Sequence, residues 1–197
     1  MKPWNDLSGD WQELASPTQA PRYQVIAEMI GRLRPRGSVL DVGCGEAILF
    51  DYLPRDTKYL GIEPSGMAAE ASRVKCGGER IVNTTGEEFA DAGTRWDCIV
   101  FNEVLYYTSN PSALLDKYSK LLSSEGIVIV SIYQKPGKAL KTRVLRWLDR
   151  SRPIGNVRCT AMIHAFMARR GWHIEDDKSI EILGTSLHWQ IRAAKPH

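Results

Sequence analysis

The sequence predicts an α/β fold: a doubly wound, mostly parallel sheet of seven strands with an antiparallel C-terminal edge hairpin. Short apolar, β-branched runs alternate with segments of helical periodicity from residue 38 to residue 134, which is typical of βαβ units covered by helices on both faces. The length of 197 residues, with 43% hydrophobic and 25% charged residues, suits one globular domain. Two strand patterns close together near the C-terminus predict the hairpin.

The first half of the chain predicts two helices and three strands. Ile26, Met29, Ile30 and Leu33 recur at helical spacing, and Pro64 and Ser65 mark the start of a second helix. Gly37 and Gly43 bracket the first buried strand. The predicted helices cover residues 22–33 and 65–75, and the predicted strands cover 38–42, 58–62 and 79–84.

The second half predicts two more parallel strands, three helices and the hairpin. A proline begins the helix over 111–122, and Gly171 closes the last helix. Apolar residues alternate with polar ones in the final strand, which places His188 on its polar side. The strands are predicted at 96–101, 126–133, 179–183 and 186–193, and the helices at 111–122, 138–150 and 160–170.

The charge of the chain is uneven. The formal net charge is +3, but residues 135–158 hold eight basic residues and one acid, so this segment is +7 and the remainder is −4. Such a stretch is typical either of a solvated amphipathic helix or of a surface for an anionic partner. An anionic acceptor, an anionic membrane surface or RNA are the partners considered, and RNA is disfavoured because aromatic residues do not alternate with the basic ones.

Cysteine spacing and the N-terminal residues predict a reduced, cytoplasmic protein. Cys44, Cys76, Cys98 and Cys159 are far apart and form no C-x-x-C pair, so neither a metal site nor a redox dithiol is predicted. The first residues lack an apolar run of signal-peptide length, and no run approaches the ~20 apolar residues of a membrane span. Peripheral membrane contact and the oligomeric state are left open.

Two polar motifs follow neighbouring strands. Asp41-Val42-Gly43-Cys44-Gly45 ends the first strand, where glycines permit a sharp turn and a close approach of a ligand to the backbone. A dinucleotide fingerprint would have a third glycine at Ile48, so a nicotinamide oxidoreductase is disfavoured. Glu63 ends the second strand, where a carboxylate can accept both hydroxyls of a ribose.

Together these motifs resemble the class I S-adenosylmethionine-dependent methyltransferases. The resemblance runs from Ser38 to Tyr133 and includes the stretches 40–45, 61–65, 83–89, 96–107 and 121–130. It implies a Rossmann-like fold, S-adenosyl-L-methionine as cofactor and one methyltransferase domain over 1–197. Within that domain, residues 1–37 are an N-terminal arm and helix, 38–134 the cofactor-binding core, 135–158 a basic insertion on the acceptor side, and 159–197 the C-terminal helix and hairpin.

The resemblance also implies the cofactor contacts. The first strand's turn borders the amino-acid end, the second strand's end binds the ribose, and a later loop borders the adenine. Many relatives have an acid where Thr85 stands, so the adenine amino group could instead meet Glu87 or Glu88. The implied cofactor-binding residues are Asp41, Gly43, Gly45, Glu63, Pro64, Thr85, Gly86, Glu87 and Asn102, the last beneath the sulfonium.

The methyl acceptor is less well specified. Candidate catalytic residues at the mouth of the site are Tyr106 and Tyr107, with Tyr133 and Glu103 beside them and His164 next. The run 102–107 is similar to small bacterial enzymes that methylate sugars, including nodulation-type chito-oligosaccharide N-methyltransferases. The predicted function is methyl transfer to an oxygen or nitrogen of a small molecule or saccharide, with no DNA partner. A non-catalytic partner subunit that binds the cofactor and an RNA-directed methyltransferase are the alternatives.

Overall fold

The structure is a computed structural model that describes residues 16–91, 93–134, 156–181 and 188–197. These residues contain one sheet of seven strands in the order β3-β2-β1-β4-β5-β7-β6. Strands β1 to β5 run parallel, β7 pairs antiparallel with β5, and β6 pairs antiparallel with β7 at the edge. The predicted Rossmann-like sheet with an antiparallel C-terminal pair is therefore confirmed.

Helices and strands alternate through the core of the chain, as the pattern predicts. The helices are α1 (Ala20–Leu33), α2 (Gly66–Cys76), α3 (Pro111–Ser119) and α4 (Asn156–Arg169). Short 3-10 turns occur at Leu49–Tyr52 and Gly78–Arg80. The strands are β1 (Val39–Val42), β2 (Tyr59–Ile62), β3 (Ile81–Val82), β4 (Trp96–Asn102), β5 (Leu122–Gln134), β6 (His173–Glu181) and β7 (His188–Lys195).

Two hydrophobic layers cover the sheet, one on each face. Alternate residues of a strand point to opposite faces, so Leu40 packs with α3 and α4 whereas Val39 packs with α1 and α2. Tyr118 of α3 and Trp189 of β7 are among the largest fully buried side chains of the two layers. The covered faces leave the carboxyl ends of the parallel strands as the place where loops meet a ligand.

Several predicted boundaries are wrong, for reasons of pairing. The third strand is only Ile81–Val82, because residues 78–80 form a 3-10 turn and the side chain of Asn83 donates to the carbonyl of Glu63 instead of extending the ladder. The helix predicted to reach residue 122 ends at Ser119, because Leu122 pairs with Trp96 and begins β5.

The sixth strand begins six residues earlier than its apolar pattern predicts. It spans His173–Glu181, where most side chains are exposed, because β6 is an edge strand that pairs along the length of β7. The predicted strand end and hairpin loop at 182–187 lie outside the described residues, as do residues 1–15 of the N-terminal arm and residues 135–155 of the basic segment 135–158, with its predicted helix. All four cysteines are free thiols, and none of the described helices has the length and apolar character of a membrane span.

We expect Leu115→Ala to destabilise the protein by about 2–5 kcal/mol, since this fully buried side chain of α3 fills the layer against β4 and β5. Urea unfolding followed by circular dichroism measures the free energy. Val74→Ala, at an 83% exposed position of α2, is the control and should change it by less than about 0.5 kcal/mol. Equal losses in the two variants would contradict the assignment of this core.

Candidate active site

A cleft lies at the carboxyl edge of the sheet, over the ends of β1, β2 and β4. All nine residues predicted to bind the cofactor line it, together with Tyr106 and Tyr107. The first helix adds Arg22 and Tyr23, and the loop after β4 adds Glu103, Val104 and Thr108. Parallel strand order brings together residues that are up to about eighty positions apart in the sequence, which a doubly wound sheet does at this edge.

The turn after β1 requires glycine, because its backbone is left-handed and Val104 packs against Gly43. Gly43 has φ +73° and Gly45 has φ +57°, which are conformations that favour glycine. A Cβ on Gly43 would stand 2.4 Å from the side chain of Val104. The N–H groups of Gly43 and Cys44 both donate to the carbonyl of Ile62, which fixes the turn to the end of β2.

Glu63 joins the first two loops through its carboxylate. Oε2 accepts the N–H of Gly45 at 2.9 Å and Oε1 accepts the N–H of Ser65 at 2.8 Å. Burial raises the pKa of Glu63, and these two backbone donors oppose the rise. The Ser72 hydroxyl lies within hydrogen-bonding distance, 2.6 Å, of the carbonyl of Gly45, which fastens the glycine turn to α2. The carboxylate is thus held in place for a ligand.

Asp41 is a buried carboxyl group with one oxygen unsatisfied. Tyr59 donates its hydroxyl to Oδ2 at 2.9 Å, and Oδ1 has no hydrogen-bond partner. Burial raises the pKa of Asp41 to about 7, with the Tyr59 hydrogen bond opposing the rise and the charge of Glu63 adding to it. A buried carboxyl with a free oxygen in a cleft is suited to bind a cation or a hydrogen-bond donor.

The loop predicted to border adenine is anchored by α3 and by Thr108. Lys117 and Tyr118 donate to the carbonyl of Gly86, and Thr108 donates to Oε1 of Glu87 at 2.7 Å. The alternative acid, Glu88, is exposed and receives the hydroxyl of Thr85. Glu87 lines the cleft with Thr85 and Gly86, whereas Glu88 does not.

A buried polar network closes the other end of the cleft. Tyr106 donates its hydroxyl to Oε2 of Glu103 at 2.9 Å, and a guanidinium nitrogen of Arg22 lies 3.9 Å from the same oxygen. The side chain of Arg22 is 3% exposed and packs against the rings of Tyr23 and Trp189. Glu103 was a weaker sequence candidate and Arg22 was missed, since no motif distinguishes an arginine at the start of an amphipathic helix.

The structure does not bring His164 to this cleft. It lies on α4, beside Gln190 and Arg192 of β7, in a separate shallow depression on the face of the sheet covered by α3 and α4. Burial lowers its pKa. The expectation of a catalytic His164 is corrected for this reason: His164 does not line the cleft and lies over the sheet face beside β7. Among the residues that the structure describes, no cluster of His, Cys, Asp or Glu could hold a metal ion.

Three unpartnered buried side-chain atoms line the cleft: Oδ1 of Asp41, Oδ1 of Asn102 and Nε of Arg22. Two are hydrogen-bond acceptors and one is a donor on a guanidinium. The amino-acid end of S-adenosylmethionine carries an ammonium and a carboxylate, which need acceptors and a donor respectively. The residues present therefore fit this cofactor, with Glu63 at the position suited to a ribose.

Comparison with known proteins agrees with this geometry. A family model described as a methyltransferase domain matches residues 16–176. The chain belongs to this methyltransferase family. The methyltransferase is 30% identical over 123 residues to a ubiquinone biosynthesis O-methyltransferase of Azorhizobium caulinodans, a match that covers 57% of this chain and 49% of that protein. A ubiquinone biosynthesis O-methyltransferase of Mesorhizobium japonicum matches to the same extent. The chain thus spans about half the length of these curated relatives.

Solved structures share the fold of the methyltransferase. The N-methyltransferase NodS of Bradyrhizobium japonicum WM9, solved with S-adenosyl-L-homocysteine, aligns with a TM-score of 0.71 and 16% identity over 100% of this chain and 99% of that one. Magnesium protoporphyrin IX methyltransferase of Synechocystis PCC 6803, also with S-adenosyl-L-homocysteine, gives 0.70 and 14% identity over 98% and 96% of the two chains. The predicted methyltransferase family and Rossmann-like fold are confirmed.

We expect Gly43→Ala to lower the affinity of the methyltransferase for S-adenosylhomocysteine at least about tenfold, because the added Cβ meets Val104 at a positive φ. Isothermal calorimetry measures the affinity. Gly78→Ala is the control, since its Cβ has no neighbour within 4 Å. Unchanged affinity in Gly43→Ala would mean that the ligand does not approach this turn.

Asp41→Asn should stabilise the free protein at about pH 8 by about 1–3 kcal/mol while weakening S-adenosylhomocysteine binding at least about tenfold. The folded pKa of Asp41 lies above its unfolded value, so its contribution to stability is present at low pH and is lost as the pH rises from about 4 to about 7. Urea unfolding of the wild type and of Asp41→Asn between about pH 4 and about pH 8 tests this direction of the pKa shift. A stability difference between the two proteins that does not vary with pH would exclude a raised pKa.

Proposed function

We propose that this chain transfers a methyl group from S-adenosylmethionine to an oxygen or nitrogen of a small molecule or saccharide. One observation carries the proposal: nine residues chosen for cofactor binding from the sequence all line a single cleft, which also holds three unpartnered buried polar atoms. A non-catalytic partner subunit would need the cofactor residues but not the buried network of Arg22, Glu103 and Tyr106 on the acceptor side.

Opposite charges at the end of the cleft would hold the amino-acid part of the cofactor. Asp41 and the amide oxygen of Asn102 would accept from its ammonium, and Arg22 would donate to its carboxylate. A guanidinium is suited to this because its planar donors match a carboxylate. Glu63 would accept from the ribose hydroxyls through the lone pairs left by its two backbone donors.

When bound, the cofactor supplies a sulfonium methyl group whose carbon a nucleophile can attack in line, with the sulfur as leaving group. The protein's part is then to orient the acceptor and to exclude water, since the reaction neutralises charge at sulfur instead of creating it. Val104 and Leu114 provide apolar walls beside Tyr106 and Tyr107. We place these two tyrosines in contact with the acceptor, with the ring of Tyr107 4.6 Å from that of Tyr106.

The class of acceptor is proposed from similarity to other proteins and from charge. The curated relatives named above are O-methyltransferases and one structural neighbour is an N-methyltransferase, so similarity alone leaves oxygen and nitrogen open. The basic segment 135–158 is proposed to face an anionic acceptor, on its charge of +7. Cytoplasmic localisation is part of this proposal, on the wide spacing of the four cysteines, which suits free thiols in a reducing compartment.

We expect the wild-type protein to bind S-adenosylhomocysteine in calorimetry and to transfer label from methyl-labelled S-adenosylmethionine to a member of a panel of hydroxyl and amino acceptors. Glu63→Ala should weaken binding about 10- to 100-fold, since it removes the ribose contact and frees the Gly45 turn. The exposed Glu70→Ala on α2 is the matched control. No binding by the wild type would refute the proposal, and binding without transfer to any acceptor would favour a partner subunit.

A further inference from the structure

We propose that the Glu103 carboxylate is the general base of the reaction, and that the acceptor is a phenolic hydroxyl. The inference rests on the proposed methyl transfer and adds to it the group that receives the proton and the class of nucleophile. It is carried by the position of Glu103 in the cleft, by the partners that hold its carboxylate and by the aromatic walls beside it.

The backbone conformation places Glu103 on the acceptor side of the cleft. It directly follows Asn102 at the end of β4, in the left-handed region with φ +64°, which is uncommon for a residue with a side chain. Such strain often occurs at functional positions. Its N–H donates to the carbonyl of Ser131, which ties the strained position to β5. The side chain is 13% exposed, and the exposed part opens into the cleft.

The carboxylate is held but keeps room for one more donor. Oε2 accepts from Tyr106 at 2.9 Å, Oε1 accepts a long hydrogen bond of 3.4 Å from Ser131, and the backbone N–H of Tyr133 also donates to the carboxylate. A carboxylate offers about four lone-pair sites, so a hydroxyl proton can still reach it. Arg22, at 3.9 Å, pairs with its charge.

Among the titratable groups that face one another here, Glu103 is the one that can accept a proton at neutral pH. Burial raises the pKa of Glu103 to about 7, and Arg22 and Tyr106 limit the rise. From the other elements, Tyr23 of α1 and Cys159 of α4 interact with its charge. Burial raises the pKa of Tyr106 well above its usual value and that of Cys159 to about 12, so both stay protonated at neutral pH. Tyr106 is therefore a hydrogen-bond donor that positions the base.

The aromatic and apolar walls beside Glu103, together with a carboxylate as the base, point to an acidic hydroxyl on an aromatic ring. In the step, the acceptor oxygen forms its bond to the methyl carbon, the carbon–sulfur bond breaks with its electron pair left on sulfur, and the hydroxyl proton passes to Glu103. A carboxylate with a pKa near 7 matches a phenol, whose pKa resembles that of tyrosine at about 10, far better than an alkyl alcohol. The walls of Tyr106, Tyr107 and Leu114 suit an aromatic ring. A neutral amine would need no buried base.

The test compares two acceptors that differ in acidity, catechol and 4-nitrocatechol, with 2-aminophenol as the acceptor that offers an amine. At about pH 8 the hydroxyl para to the nitro group is already ionised, so its oxygen can be methylated without a base; the regioisomer of the product shows which oxygen reacts. We expect Glu103→Gln to lower kcat/KM for catechol at least about 100-fold and that for 4-nitrocatechol by less than about fivefold. Calorimetry with S-adenosylhomocysteine and with 4-nitrocatechol should give Kd values within about threefold of the wild type. Glu70→Gln is the matched surface control.

Tyr106→Phe is a second variant that keeps the base. Removing its hydrogen bond should raise the pKa of Glu103, so the acidic limb of the catechol rate profile should move to higher pH, and the same limb should be absent in Glu103→Gln. The inference would be overturned if Glu103→Gln lost kcat/KM equally for both catechols, or if the acidic limb of the catechol rate profile did not move in Tyr106→Phe. It would also be overturned if the wild type methylated the nitrogen of 2-aminophenol, or methylated none of the three acceptors. Failure to bind S-adenosylhomocysteine would instead overturn the proposed function.

Discussion

The site depends on one buried carboxylate that joins two strand ends. Glu63 accepts the N–H of Gly45 from the turn after β1 and the N–H of Ser65 at the start of α2. Both loops leave the sheet at the same edge because β1 and β2 are parallel and adjacent. Without these hydrogen bonds, the buried charge would be unsatisfied and the glycine turn would lose its fixed position. The position of the glycine turn, and with it the edge of the cleft between β1 and β2, follows from this arrangement.

Opposing charges then divide the cleft into two regions. Asp41 and Glu63 supply the carboxyl groups of one region, while Arg22 lies 3.9 Å from Glu103 in the other. Arg22 is buried at a cost that its contacts with Tyr23, Trp189 and Glu103 offset. Since Arg22 lies in the first turn of α1 and Glu103 directly follows β4, the packing of the first helix on the sheet sets the electrostatics around Glu103.

Cofactor binding and acceptor recognition are encoded differently in this chain. The cofactor residues lie in loops directly after strands, so their order in the sequence follows the order of the strands. The acceptor side combines the start of α1, the loop after β4 and residues of β5. Fold similarity therefore identifies the methyltransferase fold, whereas the acceptor depends on a few side chains and their surroundings.

The sequence by itself predicted the strand–helix alternation, the glycine turn and the strand-end position of Glu63, because the apolar pattern of each strand is local. The other proposed cofactor contacts came from the family resemblance, and Arg22 was not among them. It placed β6 and the end of α3 wrongly, since pairing with β7 and β4 decided those boundaries. Only the tertiary structure excluded His164 from the cleft and brought Arg22 to Glu103, 81 positions away. Periodicity reports which face of an element is buried, but the partner that a buried charge meets is set by packing between distant elements.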